Sequence, residues 1–243
     1  MKYILSIAGL FLISVQLVYA GPPYDTDDPQ PVDFHHWEFY CSSVGLTTTH
    51  TSMGTLPHIE INYGVLPNVQ LHVVTPASFY TNEEGKTNYG YGDTEFGIKY
   101  RFVNKDSGRF QIGIFPIVEA PTGNAKENLG NGKSQLYLPL WIQKTLGKWT
   151  TYGGAGYWIN PGPGNRNYEF IGWQAQYQIA KSVSVGGEVY YLTPSRVDDN
   201  SDLRFRLGSV IDFNDEDHLL LSVGRSIAGN TNLQWYIGYQ LTI

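Results

Sequence analysis

From Trp37 onward, apolar and polar residues alternate with a period of two in segment after segment. The last segment is the clearest. Leu233, Trp235, Ile237, Tyr239, Leu241 and Ile243 point one way, and Gln234, Tyr236, Gly238, Gln240 and Thr242 point the other. Successive side chains of a strand fall on opposite faces, so this period predicts β-structure. Twelve strands are expected, over 37–48, 55–63, 69–79, 93–102, 110–120, 135–144, 149–160, 167–179, 183–192, 202–213, 218–226 and 233–243. Each is roughly ten residues long, enough to cross a bilayer at a tilt, whereas strands of soluble domains commonly have about five or six.

The connections sharpen this. Short ones (64–68, 103–109, 146–148, 180–182 and 214–217) alternate with mostly longer, more polar ones, notably 80–92, 121–134, 161–166 and 193–201. Outer-membrane barrels have an even strand number, short periplasmic turns and longer external loops. The expected fold is therefore all-β: a transmembrane antiparallel up-and-down barrel of about twelve strands.

One face of the strands is apolar: Ile59, Ile61 and Tyr63; Phe96, Ile98 and Tyr100; Ile112, Ile114 and Val118; Leu136, Leu138, Leu140 and Ile142. The opposite face carries most of the strand charge, including Glu38, His58, Glu60, His72, Glu95, Lys99, Arg101, Glu119, Glu188, Arg204, Arg206 and Asp212. A charge facing lipid at mid-depth costs roughly 2–4 kcal/mol, so these groups are expected to point inward. Glu60, His72, Glu95, Lys99, Arg101, Glu119, Glu188, Arg204 and Arg206 are the candidate lumen-lining residues. They read either as a bracing lattice of ion pairs or as a polar path for solute. Lys99/Arg101 and Arg204/Arg206 are basic pairs two apart that could face acids across the lumen. Trp37, Trp149 and Trp158 are expected in the interfacial girdle. Pro116 and Pro139, inside strands, should mark bulges or bends.

Composition agrees with a wall half exposed to lipid. Charged residues are 16% of the 243, aromatics 14%, and the net charge is -6, which argues against a nucleic-acid-binding role. Met1-Lys2, an apolar run to Val18 and Val18-Tyr19-Ala20 read as an export signal over 1–20, cleaved after Ala20. The remainder divides into a solvated periplasmic segment, 21–36, and the barrel, 37–243. Beyond Ala20 no apolar run approaches the ~20 residues of a spanning helix. Cys41 is the only cysteine, so no intrachain disulfide can form.

Catalytic and cofactor signals are weak. Gly132-Lys133-Ser134 has Glu127 where a phosphate-binding loop needs glycine. His35-His36 with Asp25, Asp27 and Asp28 has no second ligand cluster at metal spacing. Asp212, Asp215, Glu216 and Asp217 read as a charged turn. A membrane hydrolase would need His50 with Thr51 or Ser52 and a third polar group that the sequence does not identify. The expectation is no enzyme, no cofactor and no metal.

Several stretches resemble one family of bacterial outer-membrane proteins. They are Gly21-Pro22-Pro23-Tyr24-Asp25-Thr26-Asp27-Asp28-Pro29, His36-Trp37-Glu38-Phe39-Tyr40, Pro57-His58-Ile59-Glu60-Ile61-Asn62-Tyr63-Gly64 and Leu66-Pro67-Asn68-Val69-Gln70-Leu71-His72. Later stretches are Tyr91-Gly92-Asp93-Thr94-Glu95, 115–123, 151–162 and Gly238-Tyr239-Gln240-Leu241-Thr242. The family is labelled "Putative MetA-pathway of phenol degradation". The resemblance implies an outer-membrane barrel that passes small molecules, with small organic or aromatic compounds as solutes, and it carries no catalytic residues. Expected partners are outer-membrane lipid, the solute and the barrel-assembly machinery, with no nucleic acid. The C-terminal Ile243 departs from the aromatic residue that ends many outer-membrane strands. The alternative is a structural or adhesive surface barrel whose external loops bind a partner.

Overall fold

The computed structural model describes residues 21–105, 107 and 109–243; the expected export signal lies outside them. Fourteen strand segments form one sheet. They are β1 (Trp37–Thr47), β2 (Ser52–Leu66), β3 (Val69–Thr81), β4 (Thr87–Tyr91), β5 (Thr94–Lys105), β6 (Phe110–Ile114), β7 (Ile117–Ala120), β8 (Gln135–Leu146), β9 (Trp149–Ile159), β10 (Tyr168–Ala180), β11 (Val183–Leu192), β12 (Asp202–Asp212), β13 (Asp217–Ala228) and β14 (Leu233–Thr242). β4 and β5 both pair with β3, and β6 and β7 both lie between β5 and β8, so each couple is one interrupted stave. The fold is a closed antiparallel barrel of twelve staves. β1 closes on β14, from Glu38↔Thr242 to Thr47↔Leu233, and Trp37 and Ile243 exchange backbone hydrogen bonds at the seam.

Several staves run further than the apolar pattern predicted. β2 spans Ser52–Leu66, and the expected loop 80–92 is largely a hairpin in which Ala77–Thr81 pairs with Thr87–Tyr91. The backbone ladder continues through this hairpin, where exposed Tyr89 and Tyr91 alternate with half-buried Asn88 and Gly90. Pro116 does interrupt a stave, between β6 and β7. Pro139 does not: it lies inside β8, opposite Gly156 of β9. On its other side β8 pairs through Tyr137 with β7 and through Leu140 with β6. Pro139 thus lies beside the same break as Pro116, where a missing N–H leaves no carbonyl unanswered.

Outside, Phe96, Ile98 and Tyr100 of β5, Leu138, Leu140 and Ile142 of β8, and Ile171 and Trp173 of β10 are all exposed. This is the apolar belt of a membrane barrel. Trp37 stacks on Tyr63 at the short-turn end, and Trp149 tilts against Tyr177 there. Trp158 departs from the girdle expectation. It follows Tyr152, Gly154 and Gly156 on the inward parity of β9 and stacks between Tyr137 and Tyr168, at 4.6 and 5.6 Å. It packs against an internal cluster of Phe115, Tyr137, Trp141, Phe170 and Tyr190. One inner wall is therefore aromatic.

Candidate functional site

The interior is where the charged residues meet, and its centre is filled by a segment expected in solvent. Thr26 and Asp28 have no accessible surface, and Pro23, Tyr24, Pro29 and Val32 are buried. Residues 21–33 enter the barrel from the short-turn end. The expectation of a solvated segment over 21–36 fails for this stretch, because buried partners in the wall receive it. Phe34, His35 and His36 remain exposed.

The wall holds the segment through charge-assisted hydrogen bonds, the stronger kind. Arg206 donates from Nη2 to Asp25 Oδ2 at 2.7 Å and from Nη1 to the Pro23 carbonyl at 3.0 Å. Glu188 accepts the Asp25 and Thr26 amides at 2.9 and 2.8 Å. Lys99 Nζ donates to Asp27 Oδ1 at 3.0 Å and lies 3.8 Å from Asp28 Oδ2. Gln70 accepts the Val32 amide at 2.9 Å, Gln111 donates to the Gln30 side chain at 3.1 Å, and the Ser222 hydroxyl donates to the Pro23 carbonyl at 2.6 Å. Burial pushes the Asp28 carboxyl up to about 7, further than the nearby Lys99 ammonium pulls it down. Burial also raises the Tyr24 phenol above its ordinary value.

The segment divides the lumen into two cavities. A cavity of about 320 Å³ at the short-turn end is bounded by Asp27, Val32, Glu38, Tyr40, Glu60, Lys99 and the Asp215-Glu216 turn. One of about 340 Å³ at the long-loop end is bounded by Asp25, Asp93, Glu95, Glu119, Arg204 and Arg206. Loop 121–134 folds over the second cavity. Asp93 accepts the Gly123 and Asn131 amides, Leu129 is buried, and both Leu129 and Gly130 line the cavity.

The nine candidate residues fall into three groups. Glu60, His72 and Glu95 form a chain in which Asn62 donates to Glu60 at 2.8 Å. His72 Nδ1 lies 2.7 Å from the Asn62 carbonyl oxygen, and Nε2 lies 3.9 Å from Glu95. Glu119 is the register partner of Glu95. Lys99, Glu188 and Arg206 grip the segment. Arg101 and Arg204 do not join their neighbours on the same strand face. Arg101 is tied to Asn68 and Gln111, and Arg204 to Asp202 at 2.8 Å. Arg101 and Arg204 are thus each met by acceptors of the wall, while Lys99 and Arg206 are met by acids of the segment, and no continuous basic ladder faces an acidic one. Sequence reasoning missed Asp25, Asp27 and Asp28 as interior residues and gave no weight to the inward Gln70, Gln111 and Gln234. His50 has a partner the sequence did not show, Glu83 at 2.8 Å, but both side chains are largely exposed.

A model of the family described as "Putative MetA-pathway of phenol degradation" matches residues 26–242. The chain belongs to that family. The match begins inside the buried segment, at Thr26. Among solved structures, the barrel of this phenol-degradation family member is similar to the KdgM porin, at 11% identity and a TM-score of 0.56 over 85% of this chain and 98% of that one. It is similar to the NanC porin at 5% identity and a TM-score of 0.57, over 84% of this chain and 98% of that one. The translocator domain of the autotransporter NalP from Neisseria meningitidis matches at 12% identity and a TM-score of 0.53, over 85% and 87%. At these identities the likeness is one of fold. No curated protein sequence matches the chain.

Proposed function

We propose that this protein is an outer-membrane pore that passes small molecules passively. The observation that carries this reading is the interior: two polar cavities, one at each end of a closed barrel, separated by a segment that is not part of the wall. A barrel serving only as a surface scaffold needs no such cavities. In this reading residues 1–20 are the export signal, the short turns face the periplasm and the assembly machinery inserts the barrel into outer-membrane lipid. The nine inward residues bound the solute path. Phe115 of the aromatic wall borders the cavity at the short-turn end, which favours small organic solutes with an apolar face over bare ions. The porins of similar fold support the reading; one of them, KdgM, is described in complex with disordered oligogalacturonate.

The test is solute flux. Proteoliposomes should swell in small neutral and charged solutes, and planar bilayers should show discrete conductance steps. Arg204→Ala and Arg206→Ala should change conductance or ion selectivity. Absence of swelling and of conductance with every small solute tried would sink the pore reading and favour the adhesive alternative.

A further inference from the structure

We propose that residues 21–33 are the gate of this pore, an internal plug that closes the lumen when docked and withdraws through the short-turn end for solute to pass. This rests on the pore reading above.

Asp25 borders the cavity at the long-loop end and Asp27 the one at the short-turn end, so the segment is what lies between the two. With it docked, neither cavity continues into the other through the space it fills. With it withdrawn, both belong to one passage.

The contacts suit a reversible part. Those given above are salt bridges and hydrogen bonds between the segment and side chains of β3, β5, β6, β11, β12 and β13. Water that enters on withdrawal can replace each of them. A permanent structural element would be laced into the sheet, yet among residues 21–33 the described backbone pairs with no wall strand. Pairing begins at Phe34, which bridges Gly64, and continues with His35 donating to the Gly64 carbonyl and Gly64 to the His36 carbonyl. The segment is therefore pinned at one end. If export processing ends at Ala20, Gly21 is the other, free end. Extended at about 3.3 Å per residue, 21–33 reaches roughly 43 Å, beyond the ~25 Å apolar band it would have to clear.

The wall is cut to receive it. A methyl group added at Gly186 or Gly208 would lie 2.9 or 3.0 Å from the Tyr24 hydroxyl, and one added at Gly113 would lie 3.0 Å from Pro29 Cβ. At Gly172 it would run into the Thr26 hydroxyl, and at Gly64 into the Asp33 carbonyl. Glycine in a strand interior weakens the strand and marks close approach of another backbone or ligand. At Gly172 and Gly64 the segment is the first thing an added methyl would meet, whereas at Gly186, Gly208 and Gly113 a carbonyl of the neighbouring stave is slightly nearer, so Gly172 and Gly64 mark the seat most directly.

The experiment locks the plug and releases it. In full-length protein carrying Cys41→Ser, the pair Pro29→Cys and Gly113→Cys places two Cβ atoms about 3.0 Å apart, shorter than the ~3.8 Å of a disulfide by an amount that a small shift of the segment supplies. In planar bilayers the oxidised protein, its disulfide confirmed by mass spectrometry, should stay near baseline conductance. Reduction should raise conductance several-fold, to at least the level of the Cys41→Ser parent, because the added side chain at position 113 also crowds the docked Pro29. Independently, Gly172→Leu fills the space of Thr26 and should conduct more than the parent without any redox change. Equal conductance of the oxidised and reduced pair, or parental conductance of Gly172→Leu, overturns the plug while leaving the pore intact. Silence of parent, reduced pair and Gly172→Leu alike overturns the pore and the plug together.

Discussion

Arg206→Met removes the cation at the centre of the segment's seat, and its effect can be worked from the geometry. The Arg206 side chain is 4% exposed and lies against Glu188, which is fully buried, and Asp25, which is 37% exposed. Asp25 contributes little on its own, because a partly hydrated carboxylate is screened. Glu188 decides the size. In the docked state it would be a buried carboxylate without its cation, while in the undocked state water would reach it. Breaking a buried pair from one side costs about 3–5 kcal/mol. The lower figure is appropriate here because the Asp25 and Thr26 amides still donate to Glu188. At about 1.4 kcal/mol per tenfold, ~3 kcal/mol shifts docking roughly a hundredfold. Those same two amides report it, since their exchange with solvent requires the segment to open. Their protection should fall by about that factor, while amides of the β1–β14 seam keep theirs. Arg204→Met is the control, two residues along the same face but bound to Asp202. If Arg206→Met leaves Asp25 and Thr26 protection within about twofold of the parent, the scatter expected of independent sites, the electrostatic account of docking is wrong.

Other expectations follow from the same interior. Acidic groups outnumber basic ones around both cavities, so the open pore should prefer cations; a reversal potential of anionic sign in a KCl gradient would contradict this. Asp93→Ala frees the Gly123 and Asn131 amides at about 1–3 kcal/mol, so those amides and that of Leu129 should exchange faster. Asp28 gives docking a pH dependence. Its carboxyl is raised to about 7 when docked and returns towards the usual carboxylate range of about 4 when released. Docking is therefore favoured most below the released value and weakens as pH rises through the docked one. Asp28→Asn should flatten the pH profile of Thr26 amide protection, and an unchanged profile in that variant would refute the assignment.

The barrel itself was legible because a closed wall between lipid and a polar interior imposes period two on nearly every stave. What the period does not encode is which face an aromatic side chain takes. Tyr152 and Trp158 have apolar rings and suit a lipid interface, yet their parity on β9 sends them inward, where the rings pack on one another. Pro139 read as a bend because the break that accommodates it belongs to the neighbouring stave. The segment was least legible. Its run of Asp, Pro and Thr has no periodicity, and such composition usually means solvent. The partners that bury it are far along the chain, Lys99 at a separation of 72 residues and Arg206 at 181. Nothing local announces them. The inward glutamines were passed over because neutral amides carry no sign for charge reasoning to follow.

The seam between β1 and β14 also sets a timetable. Every other neighbouring pair of staves is a hairpin that can form as soon as its own residues are available, but Glu38 meets Thr242 only after the whole chain has arrived. Loop-closure entropy makes such a contact late and slow. Until then the growing sheet carries two unpaired edges, each a template for pairing with the wrong chain. Assembly of this protein is thus a race between one intramolecular zip at the last stave and many intermolecular ones. A C-terminal truncation that removes β14 should appear as aggregate, not as a smaller barrel.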